Sequence, residues 1–268
     1  MSKHKFKSNL FNNRHIQTLI PWFVPVLILV VWQFLSSIGF IPTRILPAPL
    51  GVLDAVIRLA STGELFVNIG ISAGRAITGF LVGGSIGFSL GLLNGLSPIA
   101  EKLFDTSIQM LRNIPNLALI PLVILWFGIG DEARLFLVSL GVMFPIYLNT
   151  FHGIRSVDPG LIEMGQVYGL NAWSLFWRII LPGALSSILV GVRFSLGIMW
   201  LTLIVAETIA ADSGIGYMAM NAREFMQTDV VVLSILIYAL FGKLADAIAR
   251  ALENYCLQWH PNYQTQTA

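Results

Sequence analysis

The chain has 268 residues, of which 56% are hydrophobic and only 11% charged, with a mean hydropathy of +0.76. A soluble domain carries about a quarter charged residues to keep its surface wet, so this composition excludes an ordinary globular protein. The net charge of +2, from 16 basic and 14 acidic residues, is too even for a nucleic-acid surface, which gathers Lys and Arg on one face. Cys256 is the only cysteine, which rules out an intrachain disulfide and a thiolate metal site and leaves it a buried or interfacial bystander.

A membrane-spanning helix needs roughly 20 mostly apolar residues. The first candidate covers residues 19–34, with Trp22 and Trp32 placed as interfacial anchors. Its basic flank (Lys3, Lys5, Lys7, Arg14) fits a signal peptide, but residues 38–49 offer no small-x-small cleavage site and more spans follow, so it is expected to be retained. A proline-stiffened stretch at 43–49 leads into a short amphipathic piece at 52–59. The second span is expected at 76–96, where Gly79, Gly83, Gly87, Gly91 and Gly95 fall on one face at four-residue intervals. In lipid that register lets another backbone approach closely.

Ser97-Pro98 breaks the chain, and 101–112 is amphipathic. The third span, 114–127, contains Pro115 and Pro121 and is expected to be kinked or to start late. A turn at 128–131 leads to a fourth span at 135–148; the fifth is expected at 184–206 and the sixth at 230–247. The fold class is therefore all-α: a polytopic membrane protein of about six helices, with tails at 1–18 and 253–268 flanking one membrane domain at 19–252. With the N-terminus in the cytoplasm, most of the Lys and Arg lie inside, including Lys102, Arg112, Arg155, Arg178, Arg193, Lys243 and Arg250. Arg44, Arg58, Arg75, Arg134 and Arg223 fall outside. The positive-inside bias thus predicts that both termini and the segment between spans four and five are cytoplasmic.

That segment, 152–182, is punctuated as two short helices. Asp158 stands at an N-cap with Pro159 at the first helical position, and Gly169 suits a left-handed C-cap. Asn171 caps a second helix, on which Trp173, Phe176, Trp177, Ile180 and Leu181 follow i, i+3, i+4, i+7, i+8. Such a stripe must be buried, whether on the protein's own span ends, in the headgroup layer or against a soluble partner. Pro182 is expected to mark the start of the fifth span.

The pattern Glu163-Met164-Gly165, then Gly169, then Ile179-Ile180-Leu181-Pro182 resembles the EAA loop of importer permeases of the ATP-binding-cassette (ABC) class, with Met164 and Gly165 where that family often has two alanines. The resemblance covers nearly the whole chain and is to the nitrate, taurine and sulfonate branch, within it to the aliphatic sulfonate permeases. It is carried by 43–49, 105–115, 117–130, 199–209, 213–217 and 227–230. It implies passage of aliphatic sulfonates across the bacterial inner membrane, with taurine, nitrate and bicarbonate as alternatives within the branch. It implies two permease copies, two cytoplasmic ATP-binding subunits and a periplasmic substrate-binding protein. It further implies that Glu163, Gly165, Gly169, Trp173, Phe176, Trp177, Ile179, Leu181 and Pro182 form the element that docks on the ATPase.

ATP chemistry, with its magnesium, is expected in that partner and not in this chain. The only Gly-Lys pair is Gly242-Lys243, and the glycine a phosphate loop requires five residues earlier is Ile237. No enzyme constellation and no metal-ligand spacing is present among His4, His15, His152 and His260, so no catalytic, cofactor or metal residues are expected. A self-contained secondary transporter would show inverted repeats, and none is evident. Charges inside spans are costly and are candidates for function. Three stand out: Glu207 at the outer end of the fifth span, Arg193 about two turns into it, and Arg75 at the start of the second. Each is a candidate for the pathway or its gate, against pairing with another charge or snorkelling to the interface. Residues 213–217 with 221–229 read as an external loop or a re-entrant piece.

Overall fold

The computed structural model describes residues 14–259, and the side chains of 23–209 and 211–259 among them. Expectations for Lys3, Lys5, Lys7, His4 and His260 lie outside the described residues, and those for His15 and Trp22 outside the described side chains. Every regular element among the described residues is helical: α1 (Arg14–Ser37), α2 (Pro49–Ser61), α3 (Glu64–Leu96), α4 (Pro98–Arg112), α5 (Ile120–Phe127) and α6 (Asp131–Arg155). They are followed by α7 (Pro159–Val167), α8 (Ala172–Leu175), α9 (Leu181–Ala210), α10 (Ile215–Glu224) and α11 (Thr228–Cys256).

The centre of the bundle is the seam between α3 and α6. A Cβ added at Gly79 would meet Val138, at Gly83 Ser139, at Gly87 Met143, at Gly91 Tyr147 and Thr150, and at Gly95 Ile154. The glycine face expected from the sequence is thus a contact between backbones, and the Ser139 hydroxyl adds a 3.1 Å hydrogen bond to the Gly79 carbonyl. Because both partner series rise together, α3 and α6 run parallel. α9 lies antiparallel to α6, with Gly153 against Ala184 and Ser187, and Gly191 against Pro145 and Asn149. Large apolar side chains such as Leu81, Leu201 and Leu240 point outward, as lipid-facing surface requires.

Two parallel spans adjacent in the chain must be joined by a segment that returns across the bilayer. The return is α4, a short 3-10 turn (Asn116–Leu119) and α5, bent by 84° at the junction. The third span therefore does not begin at residue 114, as the sequence suggested: the amphipathic 101–112 segment is its first half. Pro115 and Pro121 cannot donate to a continuous helical ladder, so the span is made in two pieces. Glu64–Leu96, Asp131–Arg155, Ala172–Ile209 and Thr228–Cys256 are each long and apolar enough to cross, and the broken pair makes five. α1 contributes an apolar segment, Phe23–Ser37, shorter than a full span, so the count of six stands above what the described residues establish.

One further expectation is corrected. Pro182 does not start the fifth span, because the helix is continuous from Ala172 to Ile209. It passes the proline by widening to a π turn over Phe176–Ile180, in which the Leu181 N–H donates to the Phe176 carbonyl. Residues 213–229, read from the sequence as an external loop or a re-entrant piece, contain a short helix, α10, whose Ile215, Met218 and Ala222 are buried in one cluster with Val52, Ala55 and Leu233.

Candidate functional site

The segment between α6 and α9 is built by the caps that its sequence announces. The Asp158 carboxylate accepts from the Gly160 N–H at 2.8 Å, and the Asn171 side chain accepts from the Ser174 N–H at 2.8 Å. Gly169 closes α7 at φ +77°, in the left-handed region that costs L side chains conformational energy, while the Leu170 N–H reaches back to the Gly165 carbonyl at 3.0 Å. Gly165 is buried because a Cβ there would strike Leu175 and Ile179 at 2.7 Å. Ile162, Ile179, Ile180 and Leu181 pack with Ile154, Val157, Ala184 and Ile188, which ties the helix pair rigidly to the ends of α6 and α9.

The aromatic stripe divides. Its C-terminal members, Ile180 and Leu181, turn inward with Ile179, whereas Trp173 and Trp177 are exposed and meet edge to face at 5.6 Å. Phe176 is half-buried between them, with its ring 5.3 Å from that of Trp177. Pro182 is half-buried and Glu163 exposed, the latter without a partner among the described residues. Sequence reasoning missed the apolar surface of α7 and its turn: Val167 and Tyr168 are 86% and 80% exposed, with Leu161 and Met164 beside them. Those residues lack a helical period shared with the stripe, so only the fold of the pair places them on one surface.

At the opposite end of the bundle, α3, α9, α10 and α11 converge on Glu207, which is 1% exposed. Its carboxylate accepts from the Ser72 hydroxyl at 2.8 Å, Arg75 Nη1 at 3.0 Å, the Tyr238 hydroxyl at 2.9 Å and the Gly216 N–H at 2.9 Å. Arg75 also holds Asp131 and the Ser213 carbonyl, and Asn68 accepts from the Gly214 N–H at 2.8 Å. Together these bonds fasten the turn before α10 onto three spans. Asp212, on the outer surface of this cluster, is held below the usual carboxylate range by its own backbone N–H and the Ser213 hydroxyl, with Arg134 and Arg75 adding to the effect. Glu207 and Arg75 thus form a buried ion pair at 3.0 Å. Arg193 likewise pairs with Asp246 at 2.8 Å and lies 3.5 Å from Glu253.

Two parallel spans packed through glycine, a broken return span and a capped helix pair projecting from one end make up this all-α membrane domain. The chain belongs to the family described as binding-protein-dependent transport system inner membrane component, whose model matches residues 79–255. It is 62% identical to the putative aliphatic sulfonates transport permease protein SsuC of Escherichia coli (strain K12), over 92% of this chain and 94% of that one. It is 34% identical to the taurine transport system permease protein TauC of the same organism, over 88% of each chain. Among solved structures, an amino acid ABC transporter shares the fold with a TM-score of 0.58 at 16% identity, over 74% of this chain and 98% of that one.

Proposed function

We propose that this chain forms the membrane path of an inner-membrane importer for aliphatic sulfonates, driven by separate ATP-binding subunits and supplied by a periplasmic binding protein. The observation that carries the reading is the helix pair between α6 and α9: rigidly seated on two span ends, it offers an apolar surface that the chain itself does not cover. That surface, with Trp173, Phe176, Trp177, Val167 and Tyr168, docks in a cleft of the ATPase, and Glu163 contributes a charge at its edge. Gly165, Ile179, Leu181 and Pro182 serve the docking from behind, by setting the angle at which the pair stands. ATP and its magnesium belong to the partner, and this chain carries no cofactor. Two copies of the chain enclose the path. The Lys and Arg bias supports a cytoplasmic position for the docking loop and both termini. The higher identity to the sulfonate permease than to the taurine permease supports the substrate.

The test is uptake of a labelled short alkanesulfonate by cells with and without this chain, with taurine and nitrate as competitors. Uptake that requires the chain and resists both competitors is the expected result. Alkanesulfonate uptake unchanged by deletion, with nitrate or taurine uptake lost, overturns the substrate assignment. Gly169→Val tests the docking loop. A β-branched residue at φ +77° costs about 1–3 kcal/mol of local strain and re-aims the turn. Uptake is expected to be abolished at normal membrane insertion, and normal transport by this variant removes the turn from the docking mechanism.

A further inference from the structure

The broken span opens the middle of the molecule. α4 ends at Arg112, the chain turns before α5, and Pro145 lies inside α6 beside that junction, where α9 also passes. An interrupted helix opposite a proline leaves unfilled space, and a cavity of about 570 Å³ lies between the three. This is within the range of small-molecule sites, roughly 300–1,000 Å³. Its walls come from the central turns of α6 and α9, so it lies near mid-span rather than at either membrane face.

Most of the lining is apolar, with Phe144, Leu148, Val190, Phe194 and Ile198 on the walls. Three polar side chains interrupt it: Arg112, Asn116 and Asn149. Asn149 donates one N–H to the Pro145 carbonyl at 2.9 Å, which leaves its second N–H and its carbonyl available. Neither Arg112 nor Asn116 makes a hydrogen bond or ion pair within the described residues. By contrast, Arg155 pairs with Glu101, Arg193 with Asp246, and Arg75 with Glu207 and Asp131. Arg112 is exposed at the mouth of this cavity, and a charge at membrane depth that meets no anion within the described residues is a candidate for function.

We infer that Arg112 and Asn116 form an anion-coordinating station within the permease, where the head group of an organic oxyanion rests while its short apolar tail lies along Phe194 and Ile198. This deepens the proposed function and rests on it. The guanidinium presents a planar fork that matches two oxygens of a sulfonate, and the Asn116 amide offers a third donor. One cation flanked by amides, rather than a cluster of cations, attracts the anion without trapping it, as a transport path requires. From the sequence alone Arg112 falls on the inner flank, because the third span is read there as beginning only at residue 114.

The test is equilibrium binding of labelled hexanesulfonate to the full chain in lipid nanodiscs. Saturable binding is expected, weakened about tenfold or more in Arg112→Gln, the loss of a hydrogen bond to a charged group, and partly retained in Arg112→Lys. Asn116→Asp gives Arg112 a counter-charge within the chain, so this variant is expected to fold and yet lose binding. Ethanesulfonate is expected to bind more weakly than hexanesulfonate. Wild-type-like binding by Arg112→Gln, undiminished binding by Asn116→Asp, or no binding by the wild type overturns the station. Should wild-type cells take up nitrate through this chain and no alkanesulfonate, the substrate reading has failed and labelled nitrate becomes the probe. Nitrate binding that depends on Arg112 keeps the station, and binding indifferent to Arg112 removes it.

Discussion

Glu207→Ala is expected to destabilise the chain by about 3–5 kcal/mol, the cost of removing one partner from a buried ion pair. The carboxylate is the shared acceptor for Ser72, Arg75, Tyr238 and the Gly216 N–H, and each of these donors is left buried without it. Arg75 keeps Asp131 and Ser213, so the variant is expected to be inserted but to lose the seat of α10. Glu207→Gln keeps the shape and one acceptor oxygen, and its loss is expected to be smaller. The measurement is the temperature of irreversible unfolding of the detergent-solubilised protein, alongside uptake. A lowered temperature in the order wild type, Gln, Ala identifies a clasp that holds the outer turn. Wild-type stability in Glu207→Ala, with uptake lost, would instead place Glu207 in the path.

The second large effect is expected at the α3–α6 seam. Gly83→Val and Gly87→Val drive side-chain atoms into the carbonyls of Ser139 and Met143, which are backbone and cannot rotate aside. Separating the two central spans removes their contact over its whole length, so loss of more than about 4 kcal/mol and failure to accumulate in the membrane are expected. Gly74→Ala is the control: it lies on the same helix with nothing within 4 Å of the added Cβ. It is expected to leave expression and unfolding temperature close to wild type. Equal damage from Gly74→Ala and Gly83→Val, read by membrane-fraction yield, would show that the register of the glycines does not matter.

Much of this protein follows from local sequence. The composition demands a bilayer. The four-residue spacing from Gly79 to Gly95 announces a close helix contact, although not with which helix. The caps at Asp158, Gly169 and Asn171 act within a few residues of themselves, so the helix–turn–helix is readable directly. Tertiary structure decided the rest. Glu207 and Arg75 stand 132 positions apart, and nothing in either neighbourhood distinguishes a buried pair from two snorkelling charges. The continuity of α8 with α9 depends on a π turn absorbing Pro182, which packing against Ile154 and Ala184 selects. The depth of Arg112 follows from α3 and α6 running parallel, which obliges the chain between them to cross. Hydropathy and capping act over one or two turns of helix, whereas direction, depth and charge pairing are properties of elements already assembled.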